Sequence, residues 1–360
     1  MDFDFASVID DKFRDALKKL GRLNLLVAGR SGVGKSTLIN AVFQGNLAET
    51  GQGRPITKDI KAYSKEGIPL TLFDTKGLEM EQYPQTLAAL EALVAEHRKK
   101  TDPNEHLHAA WVCLSEDSRR VEEGESKVTA FLAQAGIPVI VVITKARADQ
   151  GFGATVKQLM PEASQVLRVR AIGEVDDEGH TLQPRGLEEL VAATLEIVPE
   201  AHRNAFTAAQ RVSLQLKRTR AHLAVASAAV TAAAVGATPI PFADALLLVP
   251  LQVGMLASIS AVWGLPVDQA FLSTVISSAA TSVGATFAGR SLVGALLKLM
   301  PGGGSLVGGA INASTAALMT TVFGEAYIAA LSGLHQLSLT RAVTADEVAQ
   351  AFNAELNKEV

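Results

Sequence analysis

The eight residues Gly29–Ser36, GRSGVGKS, restrict what this chain can fold into more than any other stretch. They match G-x-x-x-x-G-K-[ST], follow an apolar run (Leu23–Ala28) and open a helix-like one (Lys35–Phe43). Strand, glycine-rich turn and helix in that order make a phosphate cradle. The glycines let successive backbone N–H groups wrap a phosphate, and the helix N-terminus favours its negative charge. In such a loop Gly29, Ser31, Gly32, Val33, Gly34 and Thr37 line the cradle. Lys35 reaches the β- and γ-phosphates, and Ser36 offers a hydroxyl to Mg2+.

A second motif lies where the first requires it. Asp74, Thr75, Lys76 and Gly77 form D-x-x-G at the end of a buried run, Pro69–Phe73. Asp74 is expected to hold Mg2+ through water, and the Gly77 N–H to meet the γ-phosphate. Between the motifs runs GRPIT, Gly53–Thr57, whose Thr57 stands where a switch-loop threonine closes on Mg2+ and the γ-phosphate.

Strand-like runs recur at Ala110–Leu114, Val139–Ile143 and Val166–Ala171. Helix-like stretches fall between and after them: Gln85–Lys99, Val121–Ala135, Ala154–Met160 and Leu187–Ile197. That alternation predicts an α/β nucleotide-binding domain with a mostly parallel sheet flanked by helices. The polar stretch Gly173–Pro184 reads as an exposed loop.

The rest of the chain changes character. From Leu223 to Thr340 the charged residues are Asp244, Asp268, Arg290, Lys298 and Glu325 alone. Pro239, Pro241, Pro250, Pro266 and the cluster from Pro301 to Gly304 divide this region into helices. The expected organisation is an amphipathic helix in 1–22, a nucleotide domain in 23–198 and a helical connector in 199–222. An all-α hydrophobic domain follows in 223–340, and an amphipathic helix in 341–360. Thr344 and Glu347 have capping-box spacing. Net charge is −4, from 33 basic and 37 acidic residues, without the basic excess of a nucleic-acid binder. The lone cysteine, Cys113, rules out an internal disulfide. The first residues lack a basic stretch ahead of an apolar core, so no secretory leader is expected.

With both motifs in hand, residues 23–198 resemble a translation-factor-type GTPase, closest to the Era and septin branch. Residues 223–340 resemble the bacterial domain-of-unknown-function family 697, through PIPFADALLLVPLQVGMLASISAVWGL and KLMPGGGSLVGGAINASTAALMTTVFGEAY. The first resemblance implies a switch that binds GTP with Mg2+ and hydrolyses it. The second implies a helical, frequently membrane-linked module without a known chemistry.

Departures from the family pattern matter. The guanine-reading motif [NT]-K-x-D is met by Thr144 and Lys145, but position 147 is Arg and the nearest carboxylate is Asp149. Two readings of Asp149 stand: it reaches the guanine donors from a bulged loop, or it is a solvated loop residue. Leu78 follows Gly77 where Ras-like enzymes carry a water-orienting glutamine. Gly32 stands where potassium-activated relatives have asparagine. Arg54, three residues before Thr57, has the offset of the in-cis arginine of heterotrimeric G-protein α subunits. It is either that catalytic group or a solvated arginine. Slow hydrolysis is therefore expected.

For residues 223–340 two readings also stand. In one they join a membrane or another hydrophobic partner from its cytoplasmic face, with Lys217, Arg218 and Arg220 as a basic flank and Gly304 and Gly308 at small-residue packing spacing. In the other they form a soluble bundle, as in an oligomerising effector resembling the immunity-related GTPases. A nucleotide-gated binding module with negligible turnover is the remaining alternative.

Overall fold

A computed structural model of the 360-residue chain describes residues 11, 14–16, 18–44, 54–55, 60–64, 67–75, 83–175, 178–236, 243–265, 269–282 and 313–359. Gly21–Ser213 forms one compact unit; the chain from Leu214 onward, with the segment before Gly21, forms the other.

The first unit is built on a seven-stranded sheet. Its strands are β1 (Leu23–Ala28), β2 (Arg54–Pro55), β3 (Ile60–Ser64), β4 (Leu70–Thr75), β5 (Ala109–Ser115), β6 (Val139–Thr144) and β7 (Gln165–Arg168), in the order β2-β3-β4-β1-β5-β6-β7. β4, β1, β5, β6 and β7 run parallel, while β3 is antiparallel to β4 and β2 to β3. Every residue of β1, β5 and β6 is buried. That is why these strands read as unbroken apolar runs: helices cover both faces of a parallel sheet. Between and after the strands lie α1 (Lys35–Val42), α2 (Tyr83–Arg98), α3 (Glu123–Gln134), α4 (Phe152–Leu159), α5 (Leu187–Ile197) and α6 (Glu200–Ala209). β1 has β4 on one side and β5 on the other, so the chain order reverses there. A doubly wound sheet opens its binding crevice at such a reversal, outside the carboxyl ends of the strands.

Three expectations shift. The stretch Gly173–Pro184 is not all loop: β8 (Glu174–Val175) and β9 (Thr181–Leu182) pair as a hairpin, closed by an Arg170–Arg185 bridge. Two-residue strands carry too little periodicity to be seen in sequence. The connector 199–222 is divided, because α6 packs on β1 and β4 while the helix from Leu214 belongs to the second unit. Pro250 does not end a helix but lies inside one.

The second unit comprises α7 (Leu214–Gly236), α8 (Ala243–Trp263), α9 (Gln269–Ser282), α10 (Ala313–Gly333), α11 (His335–Ser338) and α12 (Ala345–Glu359). Asp244 falls in the first turn of α8. Gly304 and Gly308 lie outside the described residues, as do Pro239, Pro241, Pro266 and Pro301. α10 packs against α7, α8 and α12. A methyl group on Gly324 would sit 2.5 Å from Val225 Cγ2, so glycine sets the close approach of α7 and α10. Phe352 of the charged tail helix meets Phe323 and Tyr327 edge-on, at 5.0 and 5.1 Å between ring centroids. Glu325, one of the few charged residues of this region, has a partner: its Oε1 lies 2.9 Å from His222 Nδ1. Lys217 is not a surface flank. It is buried, donating from Nζ to the Val262 and Trp263 carbonyls at 3.3 and 3.4 Å, the C-terminal end of α8. Burial pulls its pKa down to about 7.

Candidate nucleotide site

The loop between β1 and α1 owes its shape to its glycines. Gly29 has φ +145°, and a methyl group there would lie 2.4 Å from the Cys113 carbonyl oxygen of β5. No other residue fits so close a backbone crossing. Gly32 and Gly34 also have positive φ, 75° and 101°. Gly34 is the N-cap of α1, and the first turn holds no acidic side chain. The helix start therefore offers N–H groups and the positive dipole end to an anion. Ser31, Gly32, Ser36 and Thr37 are exposed at its mouth. Lys35 is buried, with Nζ donating to the carbonyls of Gly29 (2.6 Å) and Arg30 (3.1 Å). The Thr144 hydroxyl lies within hydrogen-bond reach of the Val33 carbonyl and of the Leu114 carbonyl (2.9 Å), which ties the loop to the ends of β5 and β6.

Asp74 sits near the carboxyl end of β4, in register with Val27 on one side and Lys61 on the other. Its Oδ1 is buried without a hydrogen-bond partner among the described residues. Burial raises the pKa of this carboxyl, while Lys35 and Lys61 pull it back. A desolvated carboxylate oxygen close to the phosphate lysine, with the Ser36 hydroxyl at the start of α1, matches the hard oxygen donors that Mg2+ prefers. Arg54 lies in β2 opposite Ala62. Thr57, Gly77 and Leu78 lie outside the described residues.

On the base side, Thr144 ends β6 and Lys145 takes a left-handed φ of 52°. Lys145 Nζ stands 3.5 Å from Asp117 Oδ2. The Asp149 carboxylate accepts the Gly153 N–H at 2.8 Å and lies 3.3 Å from Arg168 Nε. It thus braces the start of α4, with its side chain 37% exposed. Arg147 points away from the loop, pairing with Glu174 at 2.9 Å. Arg170 is buried and donates to the Ala146 and Gln183 carbonyls, holding the 144–149 loop against the hairpin segment.

Glu116, Asp117, Arg30 and Glu125 join the site without belonging to any motif of the sequence. Glu116, nearly fully buried, accepts the Arg147 N–H at 2.7 Å and Arg168 Nε at 2.8 Å. Glu122 and Glu125 close a capping box at the start of α3, but with Glu instead of Ser or Thr at the N-cap its spacing does not stand out in sequence.

Residues 24–145 match the family model of the 50S ribosome-binding GTPase, MMR_HSR1. Over 186 residues the chain is 30% identical to the probable GTP-binding protein EngB of Sinorhizobium medicae, covering 48% of this chain and 82% of that protein. The chain belongs to this family of GTPases. Its sheet and phosphate loop are those of a GTP-binding domain. It is also 28% identical to the GTPase Der of Novosphingobium aromaticivorans over 187 residues, 49% of this chain and 38% of Der. The tRNA modification GTPase MnmE of Burkholderia cenocepacia is 32% identical over 143 residues, 39% of this chain and 28% of MnmE. The chain thus spans well under half the length of Der and of MnmE. Residues 201–356 match the domain of unknown function DUF697, so the GTPase domain is followed by a member of that second family.

Proposed function

We propose that this chain is a regulatory GTP switch that hydrolyses its nucleotide slowly and passes its state to the helical unit. Ser36, Thr57 and Asp74 would hold Mg2+, which would supply positive charge to the phosphates. Lys35 and the Gly77 N–H engage the γ-phosphate. Lys145 lies along the base, and Asp149 leaves Gly153 and Arg168 to read the guanine edge. Arg54 supplies positive charge in the transition state.

One observation supports the coupling above all. The last turn of α1 is stitched to the chain just ahead of the second unit. The Arg211 N–H donates to the Val42 carbonyl at 2.8 Å and the Gln44 N–H to the Ala209 carbonyl at 3.0 Å. Phe43 and Gln210 form an antiparallel bridge between them. Gln210 is fully buried, and its amide exchanges hydrogen bonds with the Ser213 N–H (2.7 Å) and carbonyl (2.9 Å). α7 begins at the next residue, Leu214. This backbone path supports the reading that a shift of α1 on triphosphate binding reaches the chain just ahead of the helical unit.

The helical unit is proposed to attach to a lipid surface, supported by exposed apolar side chains at Leu223 and Val230 on α7 and Leu318 on α10. Among the described residues, Ala313–Gly333 is the one helix long and apolar enough to cross a membrane, and 56% of its most apolar window is buried in the unit. That burial favours attachment by an outer face over a span.

Competition of GTP with ATP, read together with phosphate release, tests the switch. Equal affinities for the two nucleotides would remove the guanine assignment. Sedimentation of the full chain with and without vesicles tests the attachment. A chain that remains in the supernatant in both supports the oligomerising soluble bundle instead.

A further inference from the structure

The phosphate loop is held from two sides, and the second side involves a residue that the G-x-x-x-x-G-K-[ST] pattern leaves free. On the first side the Gly29 backbone lies against Cys113 of β5. On the second, the Arg30 side chain leaves the loop and reaches the start of α3. Its Nε donates to Glu125 Oε1 at 3.0 Å, its Nη1 lies 3.5 Å from Glu122 Oε1, and its Nη2 donates to Ser118 Oγ at 3.4 Å. Glu125 is fully buried, and its second oxygen accepts the Glu122 N–H at 2.9 Å. Ser118 is itself fixed, donating from Oγ to the Ser115 carbonyl at 2.8 Å. The Arg30 guanidinium is thus docked against a rigid helix start, and a carboxylate with both oxygens engaged leaves it little freedom.

What this docking holds is the peptide beneath the lysine. The Lys35 ammonium rests on the Gly29 and Arg30 carbonyls. The Gly29 backbone lies against β5, and the Arg30 side chain is held by Glu125. We propose that Arg30 is a positioning residue for nucleotide binding: anchored to Glu125, it fixes the carbonyl that sets Lys35 at the phosphate site. Arg30 need not touch the nucleotide. It acts through Lys35, whose ammonium must meet the β- and γ-phosphates without first rearranging the loop. Burial pushes the Glu125 carboxyl above its ordinary range, and the Glu122 N–H and the Arg30 charge oppose that. Removing Arg30 therefore leaves a buried carboxylate short of its partner and frees the loop residue.

This inference rests on the GTP-binding reading, and the test separates the two. Fluorescent mant-GTP is titrated against the full chain, the variants Arg30→Met and Glu125→Gln, and their double variant. The single-turnover rate is read at saturating GTP. Arg30→Met should raise Kd at least about tenfold, while the rate of the saturated complex falls by less than about threefold. Glu125→Gln should act in the same direction. The double variant should be no weaker than the worse single one, because both remove one interaction. Kd unchanged in Arg30→Met, or effects that simply add in the double variant, overturns the inference and leaves the GTPase reading intact. A wild-type chain that binds no mant-GTP overturns both. If Arg30→Met does not fold, the Glu125→Gln titration decides by the same tenfold criterion.

Discussion

The His108 and His202 rings lie against each other at a tilt of 33° with centroids 3.7 Å apart, beside the amino-terminal ends of β1 and β5 and opposite the phosphate loop. His108 Nδ1 accepts the Asn24 N–H at 2.9 Å and its Nε2 donates to the Pro103 carbonyl at 2.9 Å, which fixes the neutral ring. Burial pulls its pKa down to about 4, helped by the neighbouring His202, His106 and His97. The unfolded chain, with an ordinary imidazole pKa, binds this proton first as pH falls. Stability is therefore full above about pH 6.5 and is lost progressively down to about pH 4, by up to roughly 3 kcal/mol. Urea midpoints across that range should fall with pH, and His108→Gln should flatten the dependence.

Lys35→Ala should weaken triphosphate binding at least about a hundredfold, since it removes charge-assisted contacts to two phosphates. The change leaves a small void at the loop, so circular dichroism should report an intact fold. Unaltered affinity in a folded variant would end the assignment of the loop.

Gly29→Ala should cost more than about 2 kcal/mol and abolish nucleotide binding together. The new methyl group would meet the Cys113 carbonyl at 2.4 Å, a backbone contact with nowhere to move, at φ +145°. A melting temperature equal to that of the wild type would show that the loop and β5 can separate freely.

Hydrolysis should depend on Arg54. Leu78 cannot orient water by hydrogen bonding, whereas an arginine in β2, three residues before Thr57, can supply charge where it develops. Arg54→Ala should lower the single-turnover rate by at least about tenfold and leave GTP affinity nearly intact, with Leu78→Ala mattering far less. Identical rates for Arg54→Ala and the wild type would leave Arg54 no part in catalysis.

Phe352→Ala should destabilise the helical unit by about 3–5 kcal/mol, since the ring is fully buried against Phe323 and Tyr327. Calorimetry that resolves the two units should place the loss in the transition of the second. A loss below about 1 kcal/mol would mean that α12 does not seal α10 in solution.

The sequence alone determined the elements whose chemistry is local. GRSGVGKS specified strand, loop and helix together, because a phosphate cradle needs glycine backbone, a helix start and a lysine in one contiguous run. β1, β5 and β6 were legible because strands covered on both faces are apolar throughout. Tertiary structure decided whatever depends on side chains far apart in the chain. In sequence Asp149 could be a base reader or a solvated loop residue, and the fold brings Gly153 and Arg168 to its carboxylate. Lys217 looked like a basic flank, yet the ends of α7 and α8 meet and bury it. Arg30 filled a variable position of its motif, and only the packing of α3 gave it Glu125. A motif records which groups a ligand touches; the partners that hold those groups in place come from contacts that no local pattern encodes.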